Sequence, residues 1–188
     1  MKIGTKSVLF GAHCFLLHPW FVAWGWWKLY GFPRDLRLWC AFFLHDIGYI
    51  GKPNMDGPEG EEHVRLGAEI LGALFGTDWY MFSLLHSRYY AKKLDVPHSR
   101  LAVADKMAIA LTPWWLYLPM VRATGEIREY QTAAKHIEEH GDWKASTWRE
   151  DRAWFRSLQK SMAEWAIENK ERHSRIYNKS SYHQGSPI

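Results

Sequence analysis

The stretch CAFFLHDIGYIGKP, residues 40–53, is a run of apolar residues that ends in an adjacent histidine and aspartate. An ionised carboxylate that is buried without partners destabilises a fold by several kcal/mol. The pair His45-Asp46 therefore needs a compensating partner. A bound cation is one such partner, because it supplies the opposite charge. A long loop rich in glycine and proline, residues 48–60, follows the pair, and substrate contacts are often found on such loops.

Helical spacing dominates the rest of the chain, and strand-like alternation is scarce. At 188 residues the chain can bury a core without disulfides, so we expect one all-α, single-domain helical bundle over residues 1–173. We expect a flexible C-terminal tail of polar composition at 174–188. The spacing predicts helices at about 6–17, 19–30, 34–47, 59–75, 78–93, 98–111, 115–136 and 147–171.

The first 30 residues are unusually aromatic in a chain with twelve tryptophans. Residues 8–30 have the length of a membrane span and contain one formal charge, but His18 and Pro19 interrupt them near the middle. We therefore expect two buried helical segments that meet at His18-Pro19 and no membrane contact, with a membrane helix and an interfacial membrane contact as the alternatives. The two cysteines lack metal or redox spacing and indicate a reducing, cytoplasmic compartment. The net charge of +4 favours anionic partners.

Four further polar residues lie on apolar faces of the predicted helices: His18, His63, His86 and Asp105. Taken singly, each histidine is explained by a hydrogen bond in the core, and Asp105 by an ion pair with a neighbouring base. Together with His45 and Asp46 they form the set of imidazoles and carboxylates that binds first-row metals. His13 is the alternative to His18 as first ligand. Pro19 favours His18, because it fixes that residue at a helix start.

The order His18, His45-Asp46, His63, His86, Asp105 resembles the HD-domain superfamily of metal-dependent phosphohydrolases, which are all-helical bundles. The resemblance covers about residues 10–125 and is strongest in FFLHDIGYIGKP, EEHVRLGAEIL, LLHSRYYAKK and LAVADKMAIALT. It implies six ligands and two divalent metals, iron or manganese first and cobalt or zinc as alternatives. Asp46 would be the catalytic bridge between one metal on His18, His45 and Asp105 and another on His63 and His86. A metal-bridged hydroxide would then attack phosphorus.

Two related groups differ in informative ways. Cyclic-dinucleotide phosphodiesterases of the HD-GYP type usually have lysine where this chain has Tyr49, and their Gly-Tyr-Pro triplet is replaced here by YYAKKLDVP. These differences argue against cyclic di-GMP as substrate. The six-ligand arrangement is also similar to the HD-type mixed-valent di-iron oxygenases, which cleave C–C or C–P bonds. The ligands alone do not separate hydrolase from oxygenase.

Basic residues surround the predicted ligands and suggest the class of substrate. Arg88, Lys92, Lys52 and Lys106 are expected to bind phosphate oxygens, and Tyr49 to stack on a base. Solvated surface charges are the alternative explanation for each base. The sequence thus predicts a small phosphorylated substrate, with a nucleotide as the first choice, and no nucleic-acid polymer. A homodimer is possible, and a non-catalytic binding module would require the site to be empty.

Overall fold

The computed structural model describes residues 1–138 and 147–172, and these contain eleven α-helices, one 3₁₀ turn at Ile47–Tyr49 and no strand. The helices are α1 Ile3–Phe10, α2 His18–Tyr30, α3 Leu36–Leu44, α4 Pro58–Glu61, α5 Val64–Phe75, α6 Thr77–Leu84, α7 Arg88–Lys93, α8 Arg100–Leu111, α9 Trp114–Thr124, α10 Glu126–Glu138 and α11 Trp148–Asn169. The predicted all-α, single-domain class is confirmed. The predicted tail, 174–188, lies outside the described residues.

The main core joins α2, α3, α5, α6 and α8. Its largest buried members are Trp26, Phe42, Leu71, Phe82 and Leu101. Two glycines let the helix backbones approach closely at this core. A Cβ on Gly25 of α2 would overlap the carbonyl oxygen of Ala104 in α8, and one on Gly67 of α5 would overlap that of Leu44 at the end of α3. These contacts bring the start of α2 to α8, and α5 to the residues that follow α3.

The C-terminal helices form a second core. Phe155 of α11 is fully buried and stacks on Tyr117 of α9 with ring centroids 4.2 Å apart. The predicted single helix over 115–136 is wrong. The chain turns at Gly125, whose φ of 88° is a left-handed conformation that favours glycine, so α9 ends there and α10 begins.

The N-terminal segment differs from its prediction in two respects. The helix predicted at 6–17 is wrong, because α1 spans Ile3–Phe10 and bends and turns follow it. The helix break before Pro19 is confirmed, because α2 begins at His18 and α1 has already ended at Phe10. The expected burial is only partly correct. Trp26 is buried, but Trp20 and Trp27 of the same helix are each 57% exposed. No helix in the described part of the chain combines the length and the hydropathy needed to cross a bilayer.

Candidate metal centre

Three histidines of the site directly follow the ends of helices. His45 caps α3, His63 follows α4 and His86 follows α6. The predicted helices over 59–75 and 78–93 are therefore wrong, because each is interrupted at its histidine. Carbonyl groups in the last turn of a helix lack intrahelical partners. In each case the histidine Nδ1 lies within hydrogen-bonding distance of the carbonyl three residues earlier. The accepting oxygens belong to Phe42 (2.9 Å), Gly60 (2.6 Å) and Ser83 (2.6 Å).

These three hydrogen bonds determine the tautomer of each imidazole. A carbonyl oxygen only accepts, so Nδ1 carries the proton and donates it. The Nε2 lone pair is then free, and it points into the site. Outer hydrogen bonds of this kind orient metal-binding histidines in general.

Asp46 lies at the centre of the arrangement, and its two oxygens face different partners. Oδ2 is 3.0 Å from Nε2 of His45 and 3.4 Å from Nε2 of His18. Oδ1 is 3.4 Å from Nε2 of both His63 and His86. One carboxylate therefore connects two sets of imidazoles.

The six predicted ligands fall into two groups that each could hold a metal ion, and all six residues are buried. Asp105 joins the first group through its Oδ1, which lies 3.1 Å from Nε2 of His18. Within a group, the ligand atoms all lie within 4.8 Å of one another. The first group is His18, His45, Asp46 and Asp105, and the second is Asp46, His63 and His86.

Unsatisfied polar atoms show that the residues fit a cation. Nε2 of His18, Nε2 of His45 and Oδ2 of Asp46 are buried without a hydrogen bond of acceptable geometry, although they face one another closely. Buried polar atoms are normally satisfied, and their exceptions need an explanation. Lone pairs that converge without a shared proton are the donor set of a metal site.

The protonation states also suit a metal. Burial lowers the pKa of His86 to about 4, so its imidazole is neutral at physiological pH. Burial raises the pKa of Asp46, but the surrounding histidines, His45 first, together bring that pKa well below its usual value. Burial likewise raises the pKa of Asp105, yet the Lys106 ammonium at 2.9 Å brings that pKa well below its usual value. Ionised carboxylates and neutral imidazoles are the forms that bind metal.

His13, the sequence-based alternative to His18, lies beside the site but belongs to neither group. Its Nε2 is 3.9 Å from Oδ2 of Asp46, and burial lowers its pKa to about 3. Its Nδ1 lies 2.9 Å from Oγ of Ser7, which donates to Glu126 at 2.8 Å. Because that hydroxyl proton is used, Nδ1 of His13 donates to Ser7. A buried glutamate thus orients a fifth imidazole towards Asp46.

A pocket of about 120 Å³ opens above the second group. Of the five residues predicted to bind substrate, Arg88, Lys106 and Tyr49 line it. Lys52 and Lys92 are not among its lining residues. The Tyr49 ring is stacked on His63, with centroids 3.8 Å apart, so one of its faces is already covered.

Two acidic residues of this pocket, Asp56 and Glu61, were not predicted from the sequence. They follow His45-Asp46 on the glycine-rich loop and on α4, and only their position on that loop hinted at a role. With Asp46 and Asp105 they make four carboxylates against the two bases Arg88 and Lys106. The pocket is therefore acidic until cations bind.

The two groups differ in access. His63 and His86 line the 120 Å³ pocket, whereas His18 and His45 line a separate cavity of about 10 Å³. That cavity is too small for more than about one water molecule. Aromatic side chains, among them Phe15 and Phe43, complete its wall.

Comparison of the chain with protein-family models, with curated proteins and with solved structures found no match. The similarity to HD-type sites therefore rests on the motifs of the sequence and on the buried cluster of histidine and aspartate residues.

Proposed function

We propose that this protein is a metal-dependent phosphohydrolase that acts on a small phosphorylated compound. The observation that carries the proposal is Asp46, which is shared by two buried ligand groups beside a pocket that also contains Arg88 and Lys106. Bound divalent cations, iron or manganese first, would lower the pKa of water and stabilise the charge that develops on phosphorus. His18, His45 and Asp105 would hold one cation, His63 and His86 the other, and Asp46 both.

The bases of the pocket have different tasks in this proposal. The Lys106 ammonium is 2.9 Å from Asp105, so it orients a ligand and keeps it ionised. Arg88 is exposed at the mouth of the pocket and is the side chain available to a phosphoryl oxygen. A guanidinium suits this task because it donates two parallel hydrogen bonds.

The charge of the pocket links metal binding to substrate choice. Four carboxylates and two bases give the lining a formal charge of −2 when its histidines are neutral. Two divalent cations would reverse this sign, whereas one would only neutralise it. An anionic substrate is therefore attracted only by the dinuclear form.

The size of the pocket restricts the substrate. Sites that enclose a drug-sized ligand usually have about 300–1,000 Å³. The 120 Å³ here suits a phosphoryl group and a few neighbouring atoms. If the substrate is a nucleotide, its base lies outside the pocket, near the exposed Tyr89 that follows Arg88.

An anaerobic assay with manganese-reconstituted protein tests the proposal. We expect release of inorganic phosphate from members of a panel of nucleotides and small phosphomonoesters, since hydrolysis needs no electron transfer. The His45→Ala and Asp46→Ala variants, purified in the same way, should release none and so exclude a contaminating phosphatase.

The opposite result identifies the alternative. If the panel is inert, and an iron-loaded sample consumes dioxygen when given a phosphonate or a polyol, the site is that of an HD-type mixed-valent di-iron oxygenase and the hydrolase proposal is wrong.

A further inference from the structure

Three tryptophans of α2 point away from the core and form one stripe. Trp20, Trp24 and Trp27 are spaced four and three residues apart, and their exposed fractions are 57%, 42% and 57%. Trp26, one position earlier than Trp27, is buried in the main core. Apolar residues before and after the helix extend the exposed stripe. We call this surface the tryptophan face, and it consists of Leu16, Leu17, Trp20, Trp24, Trp27 and Phe32.

The tryptophan face is a continuous and supported surface. The ring of Trp27 contacts that of Phe32 edge-on at 5.8 Å, and the ring of Trp20 contacts that of Phe43 in the same way at 5.7 Å. All six members are more than one third exposed among the described residues. Contiguous apolar surface of this kind on a folded domain marks an interaction site.

The charge around the face identifies the kind of partner. Residues 1–44 contain five of the 24 basic residues and one of the 20 acidic residues, so this segment carries the whole formal excess of +4. The one acid, Asp35, is bound to Arg37 at 2.7 Å. The ammonium of Lys28 lies 5.8 Å from the ring of Trp24, and Arg34 is exposed just after Phe32. The apolar stripe is thus bordered by positive charge.

We infer that the tryptophan face docks on the surface of an anionic lipid bilayer. Indole rings have an apolar body and a polar N–H, and they concentrate at the level of the lipid headgroups. Lysine and arginine beside them are attracted to anionic lipids. Docking is interfacial, since α2 has 13 residues and a span needs about 20. The expectation of no membrane contact assumed that these tryptophans are buried, and their exposure removes that basis.

Co-sedimentation with vesicles tests the inference on the full chain. We expect the protein to sediment with vesicles of phosphatidylglycerol and phosphatidylcholine in equal parts, to bind pure phosphatidylcholine far less, and to be released by salt. Replacing Trp20, Trp24 and Trp27 together by serine should weaken the partition at least about tenfold, because affinity follows the apolar area that enters the interface. Lys28→Glu with Arg34→Glu should weaken binding to the anionic vesicles only.

Matched controls separate docking from folding and from self-association. Trp115 is 63% exposed on α9, far from the tryptophan face in sequence, and Trp115→Ser should leave vesicle binding unchanged. The triple variant should keep its metal content and its cooperative unfolding, with a melting temperature lowered only by the loss of the ring contacts at the face. Absence of vesicle binding by the unmodified chain would overturn the inference. So would a dimer that the triple variant dissociates while neither protein binds vesicles, since the face would then join two copies of this chain.

Discussion

The two ligand groups around Asp46 share one carboxylate but differ in closure. The first group offers four residues; its two histidines border a cavity of about 10 Å³, and only its carboxylates, Asp46 and Asp105, line the open pocket. The second offers three residues, and both of its histidines line the open pocket. Metal sites that stabilise a fold are usually closed by protein ligands, whereas catalytic sites keep an open position. If both groups bind metal as proposed, the cation in the first group would be held more tightly, and the one in the second would exchange and face the substrate.

Removing the carboxylate that the two groups share should impair metal binding in both groups. We expect Asp46→Asn to lose most of both metals and to lower kcat/KM by well over about a hundredfold, since a residue that merely orients a ligand already contributes about 10- to 100-fold. Elemental analysis and turnover on one sample would measure both effects. Normal turnover by this variant would show that Asp46 is not a bridge.

The next effect tests the difference between the groups. His45→Ala should lose the first metal and lower Tm, because Asp46 and Asp105 are then buried close together with only the Lys106 ammonium to offset their charge. His63→Ala should keep about one metal per chain and a nearly unchanged Tm, while activity is lost. Metal analysis and thermal unfolding of both variants decide the point. An equal loss of metal and an equal decrease in Tm in the two variants would contradict the assignment of the first group as closed and of the second as open.

A smaller effect is expected at the mouth of the open group. Arg88→Ala removes a pocket-lining guanidinium, and loss of one charge-assisted hydrogen bond is worth about 1.5–3 kcal/mol. KM for the anionic substrate should therefore rise roughly 10- to 150-fold at unchanged metal content. Lys92→Ala is the matched control on the same helix, because Lys92 does not line the pocket. Similar KM values for the two variants would indicate that Arg88 is a solvated surface residue that does not bind the substrate.

The smallest effect concerns His13, which lies beside the groups without joining either. Ser7→Ala removes the hydroxyl between His13 and Glu126 but leaves Glu126 its other donors. We expect kcat to fall by no more than about tenfold at full metal content, as for a residue that orients another. Thr5→Ala, on the same helix, removes only a bond to the Gly51 amide and should have no effect. Metal loss in Ser7→Ala would instead indicate that His13 binds metal.

Much of the centre was predictable because its chemistry is unusual in a core. Burial of His45-Asp46 demands a partner whatever the fold, and Pro19 marks a helix start at His18. The helix ends could not be predicted in the same way. Periodicity continues through residues 85–87, but the chain turns there so that His86 can reach the Ser83 carbonyl.

The exposed tryptophans show a second limit of sequence reasoning. An all-round apolar helix such as α2 has no polar stripe to reveal which side faces water. The buried side is set by the close approach of Gly25 to Ala104, a tertiary contact that no local pattern encodes. The same contact brings His18 to Asp105, so one packing detail determines both the first ligand group and the tryptophan face.

The spacing of the ligands along the chain has a consequence for biosynthesis. The ligands lie at positions 18, 45, 46, 63, 86 and 105, so all but the adjacent pair are far apart along the chain. Bringing such distant positions together in an unfolded chain is entropically unfavourable. A nascent polypeptide cannot complete the first group until Asp105 has left the ribosome and α8 has packed on α2. If the site binds metal as proposed, metal capture is a late event, and the metal available in the cell at that moment would help to decide which ion the new protein receives.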